Sequence, residues 1–420
     1  MKFKIVNQYD QDFLSRENFD QSIARILKKA KERSSMLGPK HDFLDIHLKT
    51  LLANEGEFFQ LILDFFAHEK IELSPFKKIE IITNKKREIF IASWCERILL
   101  MMAQNTLSRI LEPHFSKTLY SFRKGLGPIK AKGDLGNFLK KCPDAYVIQL
   151  DISNYGPSIN QSFLKERLEN LNELRDSAFL KPVLIEAISI LYQNANGVKS
   201  KLDQGIPSGS PLVPVVENFY LMPIDQLAQS QNIFYGRYGD DIILVSEDPA
   251  KLNSIFENIQ KTLSTLELTL KSEKVKKRYL GKSPSKDLGF KSSHFFEWIG
   301  SSFNNQGEIG FKPQHRQEAK NRFHSDLNNL ILKLRKNSIN HSEAVLKVAL
   351  SQYYHSNNPV LLKIYQSGNN ISLIKHFHHD QRKFLTRLLA MHLKLTRREA
   401  RQMGKRIFPQ IKELLPKAAR

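Results

Sequence analysis

FYGRYGDDIILV, residues 234–245, decides how the chain is read. Two adjacent carboxylates, Asp240 and Asp241, lie between apolar β-type runs, with Gly239 free to take an unusual backbone angle at the tip. The pattern predicts a hairpin whose paired acids repel each other unless a positive charge sits beside them. A divalent metal such as Mg²⁺, which favours oxygen ligands, meets that need. Taken alone, a solvated acidic turn explains the pair as well. Working outward, YVIQLDISNYGPSI at 146–159 is an apolar strand that ends on Asp151. Two acids at neighbouring strand ends can hold two metal ions about 3.5–4 Å apart for in-line phosphoryl displacement. The plain alternative is an acid making a turn. LDQGIPSGSPLVPVVENFYL at 202–221 joins Gly205 and Gly209, which allow close backbone approach, to Pro207, Pro211 and Pro214, which stiffen the loop before a helix.

The composition bounds these readings. The chain has 420 residues, 64 Lys+Arg against 43 Asp+Glu, a formal net charge of +21, and 41% hydrophobic residues. That apolar content excludes a wholly disordered chain, and 19 Gly with 17 Pro exclude a collagen-like one. Cys95 and Cys142 alone cannot make a disulfide scaffold or a Cys-based zinc site, and they suit a reducing cytoplasm. The start MKFKIVNQYDQDF lacks a signal-peptide core. The longest apolar stretch, near Ile98 to Ala103, falls far short of the ~18 residues of a membrane span. The charge points to a polyanionic partner, nucleic acid first and an anionic membrane surface second. It is uneven: residues 301–420 hold 22 Lys+Arg and 7 Asp+Glu, and residues 381–420 hold 12 and 2.

Periodicity predicts helices over much of 15–70, strands at KIEIIT (78–83) and EIFIAS (88–93) around a turn at Asn84–Arg87, and a helix from Trp94 to Leu111. Residues 160–195 read as helical, as do Val215–Ala228 and Leu252–Leu266. Phe295–Phe303 reads as a strand, and helix follows helix from Pro313 onward. The class is α+β at the front and all-α at the back.

The order and wording of the three motifs resemble the polymerase palm of reverse transcriptases, particularly the bacterial lineage of group II intron, retron and defence-associated enzymes. IQLDISNYGPSI looks like the first catalytic motif, QGIPSGSPLVPVVENFYL like the template and nucleotide loop, and RYGDDIILV like the catalytic hairpin. RILEPHFSKTLYSFRKGLGPIKA (109–131) resembles a fingers segment, LELTLKSEK (266–274) a later palm motif, and FEWIGSSF (296–303) the primer-grip hairpin. The resemblance covers roughly residues 75–310.

It implies a right-hand polymerase: fingers, an RRM-like palm of antiparallel sheet plus helices, and an all-helical thumb and C-terminal region. Its parts would be N-terminal helices and fingers at 1–145, a palm at 146–304 with a fingers insertion about 160–200, a thumb at 305–380 and a basic extension at 381–420. Asp151, Asp240 and Asp241, with the Ile152 carbonyl, would hold two Mg²⁺ ions, for which Mn²⁺ can substitute. Lys85 and Arg87 would clamp the triphosphate, and Lys274 would protonate or face pyrophosphate. Gln204, Gly205, Pro207 and Gly209 would floor the new base pair, with Tyr155 and Gly156 beside the sugar. Arg123, Trp298, Gly300, Arg382, Lys383, Arg387, Arg397 and Arg398 would contact nucleic acid. The implied partners are an RNA template (a cognate structured non-coding RNA included), a DNA product and deoxynucleoside triphosphates, with no membrane.

Departures narrow the branch. Relatives usually place Phe or Tyr five residues after the first catalytic Asp, where the ring blocks a 2′-hydroxyl. Here position 156 is Gly, preceded by Tyr155. Sugar discrimination is then weak, or Tyr155 or another residue supplies the block from a different angle. No Cys follows residue 300 to build the His/Cys endonuclease of intron proteins, and no Val-Thr-Gly word marks a retron thumb. A stand-alone, abortive-infection-type antiphage enzyme is the favoured reading. An RNA-synthesising or template-independent nucleotidyltransferase on the same palm, or an inactive RNA-binding scaffold, are the alternatives. The cluster His376, His378, His379 and Asp380 suits no standard zinc spacing, and GKS at 281–283 lacks the upstream Gly of a P-loop.

Overall fold

The computed structural model describes residues 7–37, 53–66, 71–82, 86–229, 233–281, 288–311, 371–393 and 395–408, and scattered helical residues between 317 and 332. The chain divides into two compact units, 1–127 with 148–276 and 128–147 with 277–420.

In the first unit, helices α1 (Gln8–Phe13), α2 (Arg16–Leu37) and α3 (Glu55–Phe65) precede the core helix α4 (Trp94–Leu111). Ser93 caps α4 by accepting the Glu96 N–H. Buried side chains lie all round the helix, from Ile98 to Met102 and on to Leu111, so it is a core element rather than an amphipathic one. The buried Asn18 amide on α2 donates to the Met102 carbonyl and the Thr106 hydroxyl of α4. Asp10, also buried, accepts from Ser177 Oγ and from the main-chain N–H groups of Ala178, Phe179 and Leu180. It thereby caps the start of a helix far along the chain, satisfying donors that a helix N-terminus leaves open.

Strands β1 (Phe76–Ile82) and β2 (Lys86–Ile91) form an antiparallel hairpin with Ile81 opposite Arg87. Its tip, with Lys85, lies outside the described residues. The alternation in KIEIIT does not mark a buried face, because Ile82 is 80% exposed and Ile81 39%. The expected continuous helix at 160–195 is corrected: α7 (Gln161–Glu169) and α8 (Leu180–Ile188) are followed by a second hairpin, β4 (Leu191–Gln193) and β5 (Lys199–Lys201). Its turn is built by Gly197 at φ +81° and by Asn194 Oδ1, which accepts from the Asn196 and Val198 N–H groups. β4 then adds in parallel to the edge of β1.

The palm-type sheet of this unit has the order β6–β7–β3, with β3 (Tyr146–Asp151), β6 (Phe234–Tyr238) and β7 (Asp241–Ser246). Both β3 and β7 are nearly continuous apolar runs, buried except at their first or last acid. Against it pack α9 (Val213–Tyr220), α10 (Met222–Gln229) and α11 (Pro249–Thr265), and the four-residue α6 (Tyr155–Ser158) follows β3. Asp248 caps α11 through the Ala250 and Lys251 N–H groups.

One polar network holds this sheet in register. Arg237 on β6 is fully buried and pairs with Asp225 of α10, Nη2 to Oδ2 at 2.5 Å and Nε to Oδ1 at 2.7 Å. The same guanidinium donates to the Asn218 carbonyl and to the Gly239 carbonyl in the hairpin turn, at 3.2 and 3.1 Å. Ser121 accepts the Gly239 N–H and donates to Asn218 Oδ1. Tyr235 completes the set by donating to Asp225.

In the second unit, α5 (Pro128–Leu139) accompanies β8 (Lys276–Tyr279), β9 (Lys291–Ser292) and a three-stranded sheet of β10 (Phe296–Trp298), β11 (Ser301–Phe303) and β12 (Ile309–Phe311). The strand signal at 295–303 is a hairpin, as the resemblance of FEWIGSSF to a hairpin implied, with Ile299 and Gly300 turning the chain at positive φ. Helices α12 (Ile371–Leu393) and α13 (Arg397–Ile407) pack closely, with Gly404 leaving 3.0 Å between a would-be Cβ and Thr386 Oγ1. Thr396 and Glu399 form a capping box on α13. No helix among the described residues is long and apolar enough to cross a membrane.

Removing one partner of the Arg237–Asp225 pair leaves the other charge buried and alone, which costs about 3–5 kcal/mol. Arg237→Met should therefore lower the denaturation midpoint severely. The double change Arg237→Met/Asp225→Leu should recover part of that loss in urea unfolding. A double variant no better than the single one would contradict this account.

Candidate active site

Asp151 is the last residue of β3, and Asp240 sits in the two-residue turn between β6 and β7, after Tyr238 and before its partner Asp241. Gly239 occupies φ +67°, so the tip closes without strain. Both acids come from buried strands and emerge together at one end of the sheet. Asp151 takes two ammonium groups, Lys271 Nζ on Oδ1 at 2.8 Å and Lys274 Nζ on Oδ2 at 2.6 Å. The segment 270–274 is anchored for this: Ile152 bridges Leu270, and the Lys271 N–H donates to the Asp151 carbonyl.

The charges are unequal in their surroundings. Burial alone would raise Asp151, but the hydrogen bonds and charges of Lys271 and Lys274 outweigh it and hold the carboxyl below its usual range. Asp240 is pushed up, by burial first and also by the negative charge of Asp151, against its main-chain hydrogen bonds. Lys274 is pushed up by its hydrogen bond to Asp151. Lys271 was not singled out in the sequence; its spacing of three from Lys274 in LTLKSEK is the signal that places both on one carboxylate. Asp241 opens β7, half-buried.

The loop 204–210 is pressed onto these elements from two sides. Gly205, at φ +74°, lies so close that a Cβ would stand 2.7 Å from the Pro157 main chain. Its N–H donates to the Ile159 carbonyl, and Ile206 donates to Gly156. Gln161 fastens the far side through the Leu202 and Gly205 carbonyls. Gly209, at φ +103°, stands against Ile89, and the Phe90 N–H donates to the Ser208 carbonyl. The structure thus joins Gly205, Pro207 and Gly209 to the turn after Asp151 and to the strand that carries Arg87. Gln204 and Arg87 are exposed, and Pro207 is buried.

A cleft of about 320 Å³ opens here, lined by Phe122, Tyr155, Gly156, Glu217, Asp240 and Lys271 among others. Tyr155 is buried and donates its hydroxyl to the Glu217 carbonyl at 2.6 Å. Burial pushes that phenol well above its ordinary pKa. Glu217, also not anticipated from the sequence, is pushed up to about 7 by burial and by Asp240, partly offset by Arg237.

Three expected nucleic-acid contacts are placed elsewhere. Arg123 is a brace: its guanidinium meets Glu112 at 2.7 Å and the Leu119 and Ser116 carbonyls, with only 8% of the side chain exposed. Trp298 is 1% exposed, so it offers no stacking face, and Gly300 serves the β10–β11 turn. In the second unit, Arg382, Lys383, Arg387, Arg397 and Arg398, joined by Arg401 and Lys405, line a groove of about 890 Å³ between α12 and α13. Among the described residues no carboxylate lines it. His376 pairs with Asp380 at 3.7 Å.

The donor chemistry at Asp151 and Asp240 fits a divalent cation, since both supply hard oxygens and two lysine charges now offset one of them. Among the described residues, no three His, Cys, Asp or Glu side chains are gathered as a ready-made metal cage.

Comparison with known proteins agrees with this geometry. Residues 76–303 match the family described as reverse transcriptase (RNA-dependent DNA polymerase). No curated protein matches the sequence. Among solved structures, apo telomerase from Candida tropicalis is 13% identical, with a TM-score of 0.48, over 81% of this chain and 63% of that one. Telomerase from Candida albicans in complex with a fragment of telomeric RNA is 13% identical, with a TM-score of 0.46, over 80% and 63%. The chain thus spans less than two thirds of the length of these telomerase chains. The family match runs from the β1–β2 hairpin through Asp151 and Asp240 to β11 and covers more than half of the sequence, so the chain belongs to the reverse transcriptase family.

Proposed function

We propose that the chain is an RNA-directed DNA polymerase that extends a primer by nucleotidyl transfer. The observation that carries this is the meeting of Asp151 and Asp240, two mutually repelling carboxylates delivered to one point from separate strands. A fold accepts such repulsion where a cation is to be bound. Asp151 and Asp240, with Asp241 and the Ile152 carbonyl beside them, would hold Mg²⁺ or Mn²⁺. When bound, the cation supplies Lewis-acid activation of the primer hydroxyl and neutralises charge on the leaving pyrophosphate.

The protein's own groups do the positioning. Lys271 and Lys274 hold Asp151 ionised and oriented, and Lys274 brings a positive charge to the place where pyrophosphate departs. The loop at 204–209 floors the new base pair, and Arg87, with Lys85, reaches the triphosphate from the neighbouring hairpin. The α12–α13 groove grips an RNA phosphate backbone: its described lining holds seven cations and no carboxylate, and these cations repel one another until a polyanion lies between them. The wording of the motifs supports a bacterial, abortive-infection-type enzyme that copies a structured non-coding RNA in antiphage defence. Cys95 and Cys142 form no disulfide, which supports a cytoplasmic setting.

In primer extension on an RNA template, Asp240→Ala/Asp241→Ala should abolish product while leaving the fold intact. EDTA should do the same, with activity restored by added Mg²⁺ or Mn²⁺. Extension that survives the double substitution would break the mechanism.

Helix α12 runs through residue 380, so substitution probes the groove more cleanly than truncation there. Arg397→Glu/Arg401→Glu should weaken RNA binding. It should also flatten the plot of log affinity against log salt by about 0.7 for each phosphate that is no longer neutralised. An unchanged salt slope would remove the groove from the RNA path.

A further inference from the structure

The sugar side of the cleft departs from what a deoxynucleotide polymerase needs. Position 156, five residues beyond Asp151, has no side chain, and its neighbour Tyr155 is turned inward with its hydroxyl on a main-chain carbonyl. That buried phenol cannot swing out to block a 2′-hydroxyl without breaking this bond. The space beside Gly156 is not empty. A Cβ built there would lie 3.1 Å from Glu217 Oε1, so the carboxyl of Glu217 reaches over the position where a blocking ring would begin.

Glu217 is held there from several sides. Its carbonyl takes the Tyr155 hydroxyl. The next residue of α9, Asn218, is locked by Ser121 and Arg237. Its carboxyl faces the same cleft as Asp240 and Lys271. Among the described residues that carboxyl makes no hydrogen bond. That carboxyl is half-buried and lines the cleft beside a second acid, so a ligand hydroxyl in the cleft can donate to it.

We propose that Glu217, across Gly156, reads the sugar of the incoming nucleotide by accepting a hydrogen bond from a ribose 2′-hydroxyl, so that the enzyme uses ribonucleoside triphosphates as well as deoxynucleoside triphosphates. This rests on the polymerase reading above. Its physical basis is the difference between a ring and a carboxyl. A ring at 156 excludes the hydroxyl by volume, whereas a carboxyl is left unsatisfied by a sugar that lacks it. Burial and the charge of Asp240 push Glu217 up to about 7, and the hydrogen bond needs neither protonation state in particular. Either form has an oxygen that accepts a hydroxyl hydrogen.

The test is full-length enzyme in primer extension with each sugar supplied separately, read as the ratio of kcat/KM for ribo- over deoxynucleoside triphosphate. The wild type should extend with both. Glu217→Ala should lower the ratio at least about tenfold, mainly through loss on the ribonucleotide, the size expected for one hydrogen bond of ~1.4 kcal/mol. Glu217→Gln, which keeps an accepting oxygen, should restore most of the ratio. Gly156→Ala, whose Cβ crowds Glu217 Oε1, should lower it in a chain with Glu217 intact. If Glu217→Ala fails to fold, the Gln and Gly156→Ala variants decide. A wild type that uses only deoxynucleotides overturns the sugar-reading role and leaves the polymerase standing. A ratio unmoved by Glu217→Ala, or by Gly156→Ala where that variant decides, does the same. A wild type that extends with neither sugar overturns the polymerase reading, and the sugar-reading role with it.

Discussion

The active-site end of the first unit hangs on a guanidinium that never meets solvent. Arg237 and Asp225 are 0% and 1% exposed, and isolated burial of either charge would be prohibitive. The pair is tolerable because nearly every lone pair and proton is used. Asp225 also accepts from Tyr235, and Arg237 also reaches Asn218 and Gly239. A hydrophobic pair of similar volume would fill the core as well. It would not fix the carbonyl of Gly239, and through Ser121 the N–H of the same residue, in the turn that presents Asp240. The polar pair couples the position of Asp240 to the core.

Three carboxyls near that turn show how environment divides like groups. Asp151, with two lysines on its oxygens, stays ionised. Asp240, deeper and facing Asp151, is raised. Glu217, half-buried and facing Asp240, is also raised, to about 7. Each step follows from which charge faces which, with burial raising all three. The arrangement is electrostatically strained, and both a metal ion between Asp151 and Asp240 and a hydroxyl donor at Glu217 would relieve it.

The hairpin of Asp240, the strand end at Asp151 and the shaped loop at 202–214 were legible in the sequence. Each is a local device: a Gly-Asp turn between apolar strands, an acid closing an apolar run, glycines where backbones meet. Lys274 was legible as a charge near the acids. Lys271, Glu217 and the Arg237–Asp225 pair were not. Their meaning lies in which distant segment they face, and an isolated Lys, Glu or Arg reads equally well as a solvated surface charge. The second hairpin at 191–201 was missed for a related reason. LYQNANGVKSK is short and polar enough to pass for a frayed helix end, and only the open edge of β1 makes it a sheet. For Arg123 and Trp298 the packing was the part the sequence hid: residue types common at nucleic-acid surfaces sit here as a brace and a core side chain.

The charge of +21 falls into two kinds that do different physical work. Near the acids, lysines are few, and Lys271 and Lys274 each face a carboxylate at bonding distance. Their effect is local, setting the protonation and orientation of one group. Along α12 and α13 the cations face one another across a groove, held apart by a helix pair that Gly404 lets come close. Such a surface gains by releasing counterions to a polyanion, an effect that weakens with salt and carries no sequence preference. A polymerase that must move along its template needs that indifference in its grip. It needs the opposite at the carboxylates and the sugar, where single hydrogen bonds decide which nucleotide enters. On the proposed reading, selectivity would belong to the body of the chain, in the cleft where the bare position 156 meets the Glu217 carboxyl.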